Sequence, residues 1–266
     1  MKKTDFKRIK LNKGEMNVYD FGQIKLHAYK TNDFIDDEVF VVEKNGKCVI
    51  IESPCFFDNI KELEEYISTN KLQVEGILVS YHAAGATFLP KAKKYSTKHA
   101  DEYGHNGGGK GLIDNFTKAF GNIFDNSIHQ TTNFISGGKN VIGGIEFDII
   151  DTAEGFNIII PEINAVYTHM LGHDCHSIVA GSSHADVMIK QLEDYIQKGY
   201  TFVLTSHYTP EDLKDVETKI AYLKDLKQIA KTCKDANEFK EKVERNYPSY
   251  SGQNYLDMTA GFFFGK

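Results

Sequence analysis

The stretch Ile77–Pro90 reads ILVSYHAAGATFLP, and its reading decides how the rest of the chain is organised. Its first half completes VEGILVS, a nearly continuous apolar run of the kind that forms an interior strand covered on both faces. That strand delivers Tyr81 and His82 at its carboxyl end, the edge at which layered α/β folds usually bind ligands. Alanines and a glycine follow His82, so the loop itself carries few groups able to do chemistry.

Upstream, the first fifty residues predict paired strands. QIKLHAYKT alternates, and EVFVVEK and KCVIIES flank Asn45-Gly46, a strong short hairpin signal. NIKELEEYIST then predicts a helix capped by Asp58-Asn59, with Ile60, Leu63 and Ile67 on one face. Downstream, the pattern predicts a helical region from about Leu89 to Tyr103, a Gly-rich loop and the amphipathic segment GLIDNFTKAFGNIF. The strands NVIGGIEFDIID, GFNIIIPE and NAVYTHM come next, then a helix in ADVMIKQLEDYIQKG and the strand YTFVLTS, which ends at His207. A charged helix from Glu211 to about Lys231 and a polar one from about Ala236 to Arg245 follow; SYSGQNYLDMTAGFFFGK has no assignment. The order of strands, helix and strand with histidine recurs in two halves. It predicts an α/β architecture of two facing sheets with helices outside, a four-layer αββα sandwich.

The totals narrow the function classes. Asp and Glu outnumber Lys and Arg by 37 to 31, a formal charge of -6, which gives no general attraction to a nucleic-acid backbone. MKKTDFKRIK has no apolar core behind its lysines, and no run of about 18 apolar residues occurs, so a soluble cytoplasmic protein without membrane contact is expected. Cys48, Cys55, Cys175 and Cys233 are widely spaced and make neither a disulfide framework nor a thiolate zinc knuckle. GHNGGGKG at 104–111 matches G-x-x-x-x-G-K but lacks the final hydroxyl and the apolar strand that a phosphate loop needs. It is read as a surface loop, or a lid, before a helix.

Histidine is the informative residue, because nine of ten fall between His82 and His207 and three crowd into THMLGHDCH. Imidazole ligates metals and titrates near neutrality, so such clustering points to a site. His173, Asp174 and His176 of GHDCHS could bring donors to the same edge as His82 and His207, with Cys175 between them a candidate nucleophile if a neighbouring imidazole lowered its pKa.

With both halves placed, the chain from about Val18 to Ile229 resembles the metallo-β-lactamase fold superfamily. Its members typically run an apolar strand into His-x-His-x-Asp-His and add a later His, an Asp after another strand and a final His in a GHGxP-like turn. These hold one or two metals, commonly zinc, sometimes iron or manganese. Here, with His82 aligned to the first His, Ala84, Ala86 and Thr87 stand at the remaining ligand positions; with Tyr81 aligned there, Ala83, Gly85 and Ala86 do. The later His falls near DTAEGFN, where Asp151 and Glu154 are the candidates; His169-Met170 replaces the Asp; Glu52 stands for a frequent Asp after the early strand. His207, in SHYTP and 38 residues after His169, fits its place.

The resemblance implies one domain over 1–266 with a helical extension from about 211, and a metal site that is reduced or rearranged. Its candidate ligands are His82, His207, His173, Asp174 and His176, with Tyr81, Glu52, Asp151, Glu154 and His169 around the pocket. The expected function is hydrolysis of a small molecule with one zinc, iron or manganese ion. The alternatives are a ligand-binding or sensing module that has lost its metal, and metal-free chemistry through Cys or His.

Overall fold

The computed structural model describes residues 1–265, and their contacts divide into two compact units. The first comprises Met1–His169 and Leu204–Pro210. Its larger sheet has eight strands in sequence order: β1 (Lys7–Lys10), β2 (Glu15–Asp20), β3 (Ile24–Lys30), β4 (Glu38–Lys44), β5 (Lys47–Ile51), β6 (Gln73–Leu78), β7 (Lys94–Ser96) and β8 (Asn133–Phe134). Pairing is antiparallel from β1 to β5 and parallel from β5 to β8. The β4–β5 hairpin turns at Asn45 and Gly46, both at positive φ (54° and 76°), the geometry that Asn-Gly tolerates best and that fixes the register Lys44 to Lys47.

Residues on β4 and β5 are buried on both faces. Val39, Val41, Cys48 and Ile50 point to α1 (Phe57–Thr69), where Ile60, Leu63 and Ile67 meet them. Phe40 points the other way, its ring centroid 6.0 Å from that of Tyr167 on the second sheet. Each such side chain contributes about 1.5–3 kcal/mol by leaving water, so the doubly covered strands anchor the unit. Asp58-Asn59 does not cap α1. The helix begins at Phe57, and Asn59 turns inward to donate to the Tyr29 hydroxyl and the Thr31 carbonyl, bonds a capping role would forgo.

Between β6 and β8 the structure departs from the sequence reading. Leu89–Tyr103 is no continuous helix: Lys94–Ser96 pairs as β7, with the Ser96 hydroxyl donating to the Val79 carbonyl, and Thr97 caps α2 (Lys98–Asn106) through its Oγ1. Nor is GHNGGGKG a loop, since α2 runs through Asn106 and α3 (Gly108–Phe120) starts two residues later. Its glycines serve close packing. A Cβ on Gly104 would stand 2.6 Å from that of Ala83, and Gly107, Gly108 and Gly109 crowd Tyr103.

The second sheet has the order β14–β13–β12–β11–β10–β9, from β9 (Gly138–Ile142), β10 (Ile145–Asp151), β11 (Phe156–Ile160), β12 (Ala165–Thr168), β13 (Phe202–Thr205) and β14 (Tyr208–Glu211). The unit boundary falls within β13 and within β14.

The second unit, Met170–Val203 and the chain from Glu211 onward, is mainly helical. It contains α4 (Ser182–Lys198), which packs on α5 (Leu213–Lys231), then α6 (Ala236–Asn246) and α7 (Gln253–Phe264). The segment without a sequence assignment forms α7, and Phe263 and Phe264 lie against Phe239 of α6. All four cysteines are free thiols. No helix among the described residues is long and apolar enough to cross a membrane.

Candidate metal centre

Three imidazoles converge in the first unit. His82 follows β6, His169 follows β12 and His207 follows β13, so each is the first or a near residue after a buried strand has ended. Ring centroids stand 5.4 Å apart for His82 and His169, 5.0 Å for His82 and His207, and 5.2 Å for His169 and His207. One nitrogen from each lies within 4.8 Å of the others, and the Nε2 atoms of His169 and His207 approach to 3.2 Å.

Behind the rings lies Asp37, 1% exposed, at the entry to β4. Its Oδ1 stands 3.2 Å from Nδ1 of His207 and 3.6 Å from Nδ1 of His82, while Oδ2 accepts from the Cys55 thiol. Nδ1 of His207 also lies 3.1 Å from the Ile35 carbonyl, which accepts its proton. Burial would raise the Asp37 carboxyl, but the charges of His82 and His207 prevail and leave it below its ordinary value. Burial likewise pulls His207 down, and the Asp37 carboxylate 3.2 Å from Nδ1 reverses this to leave it raised. Beside His169 stands an exposed carboxylate instead, Glu154, 3.9 Å from Nδ1. Burial, then the charges of His207 and His82, push His169 well below the usual range, so its ring stays neutral with a lone pair to offer.

Glu52 builds the loop that carries His82. Fully buried at the end of β5, it accepts from the Tyr81 amide (2.8 Å) and the Tyr167 hydroxyl (2.9 Å) with Oε1, and from the Ser80 and His82 amides (3.2 Å each) with Oε2. Its φ of +64° is a costly conformation for a residue with a Cβ, and these four bonds hold it there. Tyr81 stacks on His169 (4.8 Å, 15°) and donates its hydroxyl proton to Asn157 Oδ1 at 2.8 Å. Glu154, 56% exposed, stands at the rim with Oε2 3.9 Å from His169 Nδ1. Asp151 is exposed at the end of β10 and takes no part in the cluster.

The GHDCHS residues lie in the second unit, where His173 finds partners of its own. Glu211 Oε1 accepts from the His173 amide (2.7 Å) and lies 2.8 Å from Nδ1, and Asp215 Oδ1 is 3.5 Å from Nε2. These three also bring ligand atoms within 4.8 Å of one another. The Glu211 hydrogen bond, working against burial and helped by the charge of Asp215, raises the His173 pKa. His176 is fully buried with Nδ1 against the Tyr222 hydroxyl at 2.9 Å, and burial brings it down to about 4. Asp174 lends its backbone carbonyl to Ser251.

The donor set of the first unit fits a metal ion. Two nitrogens bound tetrahedrally at about 2.1 Å to one zinc ion lie about 3.4 Å apart, close to the His169–His207 separation. Oδ1 of Asp37 is buried without a formed hydrogen bond, and an oriented imidazole Nδ1–H backed by a cation is the partner that such an oxygen lacks. Residues able to hold an ion are therefore present.

No protein-family model matches the chain, and a search of curated proteins finds no match. Solved structures do. A metallo-β-lactamase family protein from Thermus thermophilus superposes with a TM-score of 0.63 at 11% identity, covering 90% of this chain and 91% of its own. The metallo-β-lactamase of Erythrobacter litoralis gives 0.57 at 11% identity, covering 82% and 100%. The chain has the metallo-β-lactamase fold. The stereoselective inverting sec-alkylsulfatase of Pseudomonas sp. shares that fold with a TM-score of 0.63 at 13% identity and 92% coverage of this chain, which spans 49% of the alkylsulfatase's length.

On this fold the His82 loop offers no second ligand, because Ala84 is buried in an apolar cluster with Cys55, Phe56, Ile113 and Phe124. Sequence reasoning named His82, His169 and His207 but missed Asp37, Glu211 and Asp215. Asp37 sits among other acids in DFIDDE, where nothing local marks the one that turns inward.

Proposed function

We propose that this protein is a hydrolase of small molecules that works with a single metal ion held by His82, His169 and His207. The convergence of three imidazoles with a buried carboxylate behind two of them carries this reading. A zinc, iron or manganese ion there would supply Lewis acidity, acidifying a water and polarising a carbonyl, sulfuryl or phosphoryl oxygen. The chain's own part is to orient the rings from Asp37, Ile35 and Tyr81, and to keep His169 neutral so that Nε2 can donate. Glu154 at the rim places an exposed carboxylate beside His169.

Solved structures that share this fold include metallo-β-lactamases and an alkylsulfatase, so lactams and sulfate esters are the first substrates to try. With a net charge of -6 the partner is a small molecule rather than nucleic acid. Turnover of one such class that disappears with chelator and returns with zinc, iron or manganese supports the hydrolase. Metal bound at one per chain without turnover of any class favours a second reading, a binding or sensing module. That reading draws on the 3.2 Å approach of His169 and His207, which lets the cluster close on a shared proton and persist without chemistry.

A further inference from the structure

We propose that Asp37 is a positioning residue of the three-histidine cluster, its carboxylate holding the Nδ1 edges of His82 and His207 so that both rings present Nε2 toward His169. The part concerning metal affinity rests on the metal-centre reading above; the part concerning ring tautomers does not.

The backbone of Asp37 is pinned before the side chain does anything. Its carbonyl accepts from the Thr31 amide (3.1 Å) and the Thr31 hydroxyl (2.7 Å), and its amide donates to Asp33 Oδ1 (3.3 Å). The side chain is therefore aimed by a fixed frame. One oxygen is occupied by the Cys55 thiol, and the other, buried and without a formed hydrogen bond, lies 3.2 Å from Nδ1 of His207 and 3.6 Å from Nδ1 of His82. A buried carboxylate oxygen left unpaired is costly, so the arrangement favours a proton on each Nδ1. For His207 the Ile35 carbonyl enforces the same choice. For His82 the 3.6 Å separation is an ion-pair distance, and Asp37 is the group that selects its tautomer. A proton fixed on Nδ1 leaves the lone pair on Nε2, and a carboxylate behind the ring makes that lone pair a stronger donor.

The test compares the full chain with Asp37→Asn and Asp37→Ala. Histidine 15N shifts are recorded on metal-free protein in mildly alkaline buffer, where imidazoles are neutral. Zinc affinity is then measured by competition with a chromophoric chelator. His82 and His207 are expected as Nδ1–H tautomers in the parent, with His82 moving to Nε2–H in Asp37→Ala. Zinc affinity should fall about 10–100-fold in Asp37→Asn, which keeps an acceptor but loses the charge. Identical tautomers in the parent and Asp37→Ala overturn the positioning role, as does equal zinc affinity in the parent and Asp37→Asn. Should Asp37→Ala fail to fold, unchanged ring shifts and affinity in Asp37→Asn overturn it. A parent that takes up no zinc defeats the hydrolase reading alone, and the tautomer comparison still decides Asp37.

Discussion

His169 and His207 bring their Nε2 atoms within 3.2 Å of each other, although 38 residues separate them in the chain. Two lone pairs cannot face each other across such a gap, so it holds either a shared proton or a cation. With one proton on His207 Nδ1, a second taken up at its Nε2 as pH falls, which Asp37 favours, fills the gap in the first case, and His169, kept neutral by burial and its neighbours, accepts it as a hydrogen bond. A cation displaces that proton, and zinc uptake should therefore weaken as pH falls. Zinc titrations across the mildly acidic range check this; an affinity independent of pH would remove His207 as a ligand.

Glu52 is the acceptor for three consecutive amides and for the Tyr167 hydroxyl. Glu52→Ala removes the shared acceptor of the three amides and leaves the Tyr167 hydroxyl only its 2.8 Å contact with Ser206 Oγ, and a loss of about 2–4 kcal/mol is expected in denaturant unfolding. Val49→Ala, a smaller buried truncation on the same strand, should cost about 1–3 kcal/mol with zinc affinity little changed, whereas Glu52→Ala loosens the His82 loop and lowers affinity as well.

Gly155 gives Tyr81 its room. A Cβ there would stand 2.9 Å from the Ser80 carbonyl oxygen, the Ser80 hydroxyl and Tyr81 Cδ1. Gly155→Ala should destabilise the protein by about 1–3 kcal/mol and disturb the Tyr81–His169 stack, visible as a changed His169 ring shift. Tyr81→Phe, which loses only the hydroxyl bonds, should cost about 1 kcal/mol and leave the stack in place.

His129 is buried with neither ring nitrogen partnered. Burial, helped by the charge of Lys94, brings its pKa down to about 3. The folded state thus keeps His129 neutral while the unfolded chain takes up a proton below its ordinary value near 6.5, so its contribution is intact above that value. It is lost at up to about 1.4 kcal/mol per pH unit as pH falls toward 3. His129→Leu should leave stability at neutral pH equal or higher and flatten the acid decline. An unchanged acid slope in urea unfolding would contradict this.

Much of the fold was legible because its signals are local. Asn45-Gly46 sets a hairpin by backbone preference alone, and the apolar runs into His82 and His207 mark buried strands whose ends face one edge. The α2–α3 hairpin was not legible, since its glycines are explained by Tyr103 and Ala83 filling the space of absent side chains. Of the site, the histidines could be named from their strand-end positions, but their partners could not. Ile35 is 172 residues from His207, and Glu211 and Asp215 look like any solvated helix face until His173 is set between them.

Elemental analysis of the protein purified without chelator tests the metal centre most directly. One zinc, iron or manganese ion per chain is expected, retained in His173→Ala and lost in His207→Ala and His169→Ala with folding preserved by circular dichroism. No stoichiometric metal in the parent, or the same content in all three variants, would contradict a metal centre built from His82, His169 and His207.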